Sequence, residues 1–225
     1  GQQTLMLDKP YFRRDLYHRM SVNTPQPTYA ARMDVGPHRL ESMGIRVTDV
    51  RRSSGNKVIY AGSSQKYADF HDLGDVDEYG RLVCANILHS INGAGRKDLK
   101  VLYRPKTTGT EGKDRSTHVE GAEFSPMSVY LKDLLPECHC LVTHGSNSGV
   151  EAMAAGVPVM STGDVNTNPL HDLVNTTYDS IISPRVPPAK AVLKRLSALA
   201  WCQFTDAEIA KGTAWEFTRQ WLDPI

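Results

Sequence analysis

Residues 143–158 read T-H-G-S-N-S-G-V-E-A-M-A-A-G-V-P. The apolar run Cys140-Leu141-Val142 stops at His144, small and hydroxyl-bearing residues follow, and a helical pattern starts near Ser148. Backbone N–H groups at a helix start lack internal partners, and the helix dipole adds positive potential there. Such a turn favours an anion, for example a phosphate. Gly145 and Gly149 would let a ligand approach the backbone, and Ser146, Asn147 and Ser148 add side-chain donors. A plainer reading stands beside this one. Ser148 and Glu151 have capping-box spacing, in which Glu151 only satisfies a backbone donor.

Arg104-Pro105-Lys106 follows the apolar run Leu99-Lys100-Val101-Leu102-Tyr103. A basic pair at that point can neutralise a diphosphate and the charge of a leaving group; the alternative is a solvated loop. Ser63-Ser64-Gln65-Lys66-Tyr67 follows Lys57-Val58-Ile59-Tyr60-Ala61-Gly62, and Lys66 could touch a phosphate or simply face water. Asp164 and Asn166 could bind sugar hydroxyls, and they are equally common turn formers. Asp8, after Leu5-Met6-Leu7, and His18 are the N-terminal candidates for a general base. Asp8 could instead pair with Arg13 or Arg14. Cys138 and Cys140 lack the spacing of a zinc site, and burial in a strand explains Cys140 better.

The elements that must hold these residues follow from apolar spacing. Strands are expected at 57–62, 99–103, 140–143 and 157–160. Helices are expected over 79–87, capped by Asp75 with Glu78, over 148–155 and over 189–201. A short helix is expected after Ser125-Pro126, running through Tyr130 and Leu134. Thr205 and Glu208 form another capping box before a last helix toward Leu222. Trp201, Trp215 and Trp221 are expected to pack back as core. Residues 105–124 read as a loop. Strands alternating with helices predict a parallel sheet with helices on both faces, which binds ligands beyond the carboxyl ends of its strands.

The chain has 225 residues, 40% of them apolar and 23% charged, with a formal net charge of +1. That composition excludes a disordered or collagen-like chain, and overall charge names no polyanionic partner. No apolar run reaches the roughly 18 residues of a membrane span, and residues 1–8 lack the pattern of a signal peptide. Four cysteines are too few for a disulfide scaffold, so a cytoplasmic protein with reduced thiols is expected. Residues 1–55 hold nine Lys/Arg against five acids, an excess of four positive charges in a segment with little periodicity. A boundary is expected in Ser53-Ser54-Gly55-Asn56. It divides a basic N-terminal segment, 1–56, from an α/β domain, 57–225.

The run 143–159 resembles the donor-site signature of GT-B glycosyltransferases, H-G-G-x-x-x-x-E-A-x-x-x-G-V-P, with Ser146 in place of the second glycine. It is also similar to that region of capsule-polysaccharide sugar transferases and of small glycosyltransferase-like proteins of bacteria and phages. Arg104-Pro105-Lys106 resembles their basic element after the corresponding strand. The resemblance implies a Rossmann-like, GT-B-like C-terminal half with a short or incomplete N-terminal part. Residues 4–7 look like the last strand of an acceptor-side domain, in a fragment, a processed form or a compact variant. It implies that Ser146, Asn147 and Ser148 hold the diphosphate of a nucleotide sugar, that Glu151 accepts from the ribose hydroxyls, and that His144 lies near the donor. It implies no cofactor and no metal, since basic groups and a helix start stabilise the leaving diphosphate. The partners implied are a nucleotide sugar and a hydroxyl acceptor, either glycan or nucleic acid. A homo-oligomer or a partner chain is left open. Two alternatives are carried: a sugar-nucleotide enzyme that transfers nothing, such as a 2-epimerase, and a non-catalytic Rossmann-like module acting with a partner.

Overall fold

The apolar run after Lys57 becomes the central strand of a five-stranded parallel sheet. The computed structural model describes residues 3–48, 55–106, 118–125 and 128–222. In chain order the strands of this sheet are β3 (Lys57–Ala61), β4 (Lys100–Arg104), β5 (Ala122–Phe124), β6 (Cys138–Thr143) and β7 (Val159–Ser161). Their spatial order is β5-β4-β3-β6-β7, all neighbours parallel. The chain runs outward from β3 to one edge, then returns to build the other side. This is the Rossmann-like arrangement, and it opens a crevice between the carboxyl ends of β3 and β6, where the order reverses.

Period-two alternation sends successive side chains to opposite faces. Ile59, Leu102, Leu141 and Val159 face one core, and Val58, Tyr60, Val101, Tyr103, Cys140 and Val142 face the other. Helix α3 (Val76–Gly93) covers the second face with Val83, Cys84, Ile87 and Ile91. Its start is fixed by Asp75, whose carboxylate accepts from the N–H groups of Asp77 and Glu78 at 2.9 and 3.0 Å. The first face carries α5 (Asn147–Ala154) and α6 (Ala189–Trp201), with Val150, Met153, Val192 and Leu196 buried against the sheet. Gly149 lets α5 sit close: a Cβ there would come within 3.2 Å of Thr143 and 3.4 Å of Val159. Its small size thus serves helix-to-sheet packing rather than the approach of a ligand.

A second, antiparallel sheet joins the two ends of the chain. It consists of β1 (Leu5–Asp8), β2 (Tyr17–Val22) and β8 (Gln203–Thr205), in that order. Tyr17 pairs with Thr205 and Leu5 with Val22. Gln203 is wholly buried, and its side-chain oxygen accepts from the N–H groups of Tyr11 and Phe12. Arg39, on α1 (His38–Ser42), ties this corner further: it donates to the Ala200 carbonyl at 3.1 Å and pairs with Glu208 at 2.8 Å. The basic N-terminal segment is therefore packed on the C-terminal elements by strand pairing.

Several expectations change. The N-terminal segment contains β2, in a stretch with little apolar alternation. Residues 122–124, expected as loop, form edge strand β5. Pro126 and residues 107–117 lie outside the described residues, as do Ser53 and Ser54 of the expected boundary. The short helix α4 (Leu131–Leu134) starts only after Tyr130. Helix α2 (Gln65–Phe70) follows β3, in what reads as a loop. The Thr205–Glu208 capping box forms, but the last helix divides into α7 (Asp206–Ala210) and α8 (Thr213–Thr218), because Gly212 takes φ +80° between them. Trp201 stacks on Phe217 and Trp221 on Tyr29, whereas Trp215 is 45% exposed and is not core. All four cysteines are buried and unpaired, and burial pushes the Cys138 thiol up to about 12.

Candidate functional site

Three loops leave the carboxyl ends of β3, β4 and β6 side by side, and a cavity of 410 Å³ lies among them. Gly62, Ser63 and Ser64 come from the first loop, Arg104 and Lys106 from the second, and Ser146, Asn147 and Ser148 from the third. Glu151 lies one turn into α5. The N-terminal segment closes the cavity with Asp8, Lys9, Arg14, Arg19 and Gln26. Around the whole cavity five cations face two carboxylates, an excess of three positive charges.

The third loop is built to present the start of α5. Gly145 turns the chain at φ +112°, where a Cβ is strained. Its carbonyl accepts from Gln26 Nε2 at 3.1 Å, and the His144 carbonyl accepts from the Tyr67 hydroxyl at 3.2 Å. Ser146 caps the helix by accepting from Ser148 N–H at 3.3 Å. The Ser148–Glu151 capping box does not form. Glu151 instead accepts from Arg14 at 2.6 Å. Burial pushes the Glu151 carboxyl above its ordinary value, against the opposing pull of Arg14 and Arg104.

Arg104 is half-buried. Its Nη2 donates to the Val129 carbonyl at 2.9 Å, while its buried Nε has no partner among the described residues. Burial pulls its pKa below the ordinary value, and burial together with Arg14, Lys9 and Arg19 does the same for Lys106. A negative group brought beside either cation would oppose that shift, as Glu151 already does for Arg104.

Arg19 was not visible in the sequence as a site residue. Its side chain is 3% exposed and donates to Asp8 at 2.6 Å and to the Asn147 side-chain oxygen at 3.0 Å. It also lies 4.8 Å above the Tyr11 ring. Asn147 donates back to the Pro10 carbonyl at 3.0 Å. The candidate base Asp8 is thus held by Arg19, not by Arg13 or Arg14; Arg13 pairs with Asp15. Of the basic excess at the N-terminus, Lys9, Arg14 and Arg19 reach the cavity. The charge count marked the segment, and nothing in the spacing of its nine cations singled out these three.

Other expected residues stand elsewhere. His18 pairs with Asp206 at 2.8 Å on the antiparallel sheet and does not line the cavity. The His144 ring turns away into a cluster with Tyr67, His71 and Tyr79, and its Nδ1 lies 2.9 Å from the Tyr79 hydroxyl. Burial and His71 push it down to about 4, so it is neutral near pH 7. Gly145 shapes the turn from behind. Asp164 caps the one-turn helix Val165–Thr167 and accepts from Asn166 N–H at 2.9 Å, so both act as turn formers outside the cavity. Lys66 does not line it either.

No family model matches the sequence, and no curated protein matches it. Matches among solved structures include a Thermosulfurimonas dismutans protein described as KpsC, beta Kdo 2,4 transferase. It is 10% identical, with 88% of this chain and 71% of that chain covered and a TM-score of 0.49. A second, described as Thermosulfurimonas dismutans KpsC, beta Kdo 2,7 transferase, is 12% identical over 87% of this chain and 68% of that chain, with a TM-score of 0.46. A third, described as the glycotransferase of kitacinnamycin, is 15% identical over 69% of this chain and 41% of that chain, with a TM-score of 0.34. All three are described as transferases. Among the described residues, no helix is long and apolar enough to cross a membrane.

Proposed function

We propose that the chain is a metal-independent glycosyltransferase that moves a sugar from a nucleotide donor to a hydroxyl acceptor. One observation carries the reading: Arg104, Lys106, Ser146, Asn147, Ser148 and Asp8 line one cavity at the switch point of a parallel sheet. In this reading the diphosphate lies at the start of α5. The N–H groups and hydroxyls there share its charge with Arg104 and Lys106, and Glu151 takes the ribose hydroxyls. The acceptor oxygen bonds the anomeric carbon as the bond from that carbon to the diphosphate breaks. The bonding pair leaves with the nucleoside diphosphate, and the acceptor proton passes to Asp8. Arg19 and the Lys9 N–H each hold one Asp8 oxygen, at 2.6 and 2.7 Å, which fixes the carboxylate while leaving each oxygen a second lone pair. Side-chain cations placed where the leaving charge develops do the work that a metal does in other sites.

The test is calorimetry and thermal shift with UDP, GDP, ADP, CMP, TDP and their sugars. A ligand at 100 times its Kd adds about 2.7 kcal/mol of stability. One nucleotide series should bind and should compete with its sugar conjugate. A folded protein that binds none of them refutes the reading. Binding without release of nucleotide from any donor, across a panel of acceptors, favours the non-transferring alternatives.

A further inference from the structure

A second cavity, of 510 Å³ and more open to solvent, adjoins the first. Arg14 and Glu151 line both, so their 2.6 Å ion pair stands on the shared wall. Arg13, Arg46 and Lys132 line the second cavity as well, and Glu151 is its one carboxylate among the described residues, an excess of three positive charges. Arg13 is partly satisfied by Asp15 at 3.4 Å, whereas Arg46 and Lys132 form no ion pair with a described residue. Between the cations the floor is aliphatic, from Ile45, Ala154 and Ala155.

We propose that this groove is the acceptor subsite and that it takes a saccharide bearing carboxylates. The proposal rests on the first cavity being the donor site. A carboxylated sugar answers both features of the groove: its charge meets Arg46 and Lys132, and its C–H face lies on the aliphatic floor. A nucleic acid answers only the charge. Single strands bind through bases stacked on exposed rings, and the two aromatic residues of this groove, Tyr11 and Phe12, are 2% and 4% exposed. An acceptor seated here would present a hydroxyl to the donor cavity past the Arg14–Glu151 pair.

The experiment is calorimetry with short oligogalacturonate, oligosialate and hyaluronan fragments, each beside its neutral methyl ester, and with a single-stranded oligonucleotide. The protein is wild type or Arg46→Glu/Lys132→Glu, and each sample is also titrated with the nucleotide identified for the donor cavity. Both substituted residues are exposed, and a thermal melt checks that the double variant folds. At least one carboxylated fragment should bind about tenfold tighter than its ester, and the double charge reversal should weaken it about tenfold or more. Nucleotide affinity should stay within about twofold. The proposal is overturned if esters bind as well as acids, if the reversal changes nothing, or if the oligonucleotide binds best. Failure of the donor reading looks different: no nucleotide binds while the acidic fragments still do. That result removes the acceptor role and leaves an anionic-saccharide site.

Discussion

Replacing Arg104 by alanine isolates the charge that the donor reading needs most. Among the described residues the guanidinium makes one hydrogen bond, to the Val129 carbonyl at 2.9 Å, and its buried Nε has no partner. Losing the first costs about 1 kcal/mol, and removing the second returns part of that cost. The stability of Arg104→Ala should therefore stay within about 1 kcal/mol of wild type. In the complex the variant loses a charge-assisted hydrogen bond to the diphosphate, in a site where burial already depresses the arginine. That bond is worth roughly 1.5–3 kcal/mol, so the Kd of the nucleoside diphosphate should rise by about 10- to 150-fold. Arg104→Lys keeps the charge and loses the planar fork, so it should recover only part of the affinity. Titration calorimetry at fixed low salt reads all three proteins, with a urea melt as the check on folding. A Kd within about threefold of wild type for folded Arg104→Ala would refute the assignment, because no other role of Arg104 hides a loss of that size.

Asp8→Asn should lower transfer by about a hundredfold or more while leaving the nucleoside diphosphate Kd nearly unchanged, as expected for a base that meets only the acceptor. Chelation with EDTA should leave transfer unchanged if the cavity's cations carry the leaving charge; lost activity restored by a divalent ion contradicts that. His144 has a folded pKa of about 4, below its ordinary 6.5, so the unfolded chain binds more protons between those values. Stability should therefore fall as pH drops from about 6.5 toward 4, by about 1–2 kcal/mol after allowance for solvent screening. In urea melts His144→Asn should flatten that slope relative to wild type, and an unchanged slope would reject the assignment. Gly80→Ala should destabilise, against the usual gain of about 1 kcal/mol for this change in a helix. The new Cβ lands 2.5 Å from the hydroxyl of Tyr103, which is pinned by its stack on Tyr60. Overpacking of this kind costs about 1–3 kcal/mol, and a rise in the urea midpoint would show that the ring can move aside.

The parallel sheet was legible because each central strand is a short apolar run that reports its own burial. Val58-Ile59-Tyr60 and Leu141-Val142 need no partner to be recognised. So was the part of the site that follows those strands: Arg104, Lys106, Ser146, Asn147, Ser148 and Glu151 line the cavity together. The N-terminal wall was not legible. Tyr17-His18-Arg19-Met20-Ser21-Val22 carries no clean alternation, and it becomes a strand between two partners, Leu5–Asp8 on one side and, from the other end of the chain, Gln203–Thr205 on the other. Arg19 is buried for the same reason. Its partners, Asp8 and Asn147, lie 11 and 128 positions away, and local spacing carries no trace of the second. His144 misled in the opposite sense. A histidine beside a glycine turn fits a ligand contact, but the ring has a second way to go, and Tyr67, His71 and Tyr79 take it.

The pairing of Tyr17 with Thr205 has a consequence for the order in which the molecule is made. During synthesis the parallel sheet can assemble once Val159 to Ser161 have left the ribosome, because its strands follow one another along the chain. The wall that brings Asp8, Arg14 and Arg19 to the cavity has to wait longer. Its sheet is complete only when Gln203 to Thr205 emerge, a closure across most of the chain and of the kind that forms late. Until then β2 has only β1 beside it, paired from Leu5–Val22 to Asp8–Arg19. On the donor reading, nucleotide could then reach the start of α5 before the N-terminal wall is fully paired.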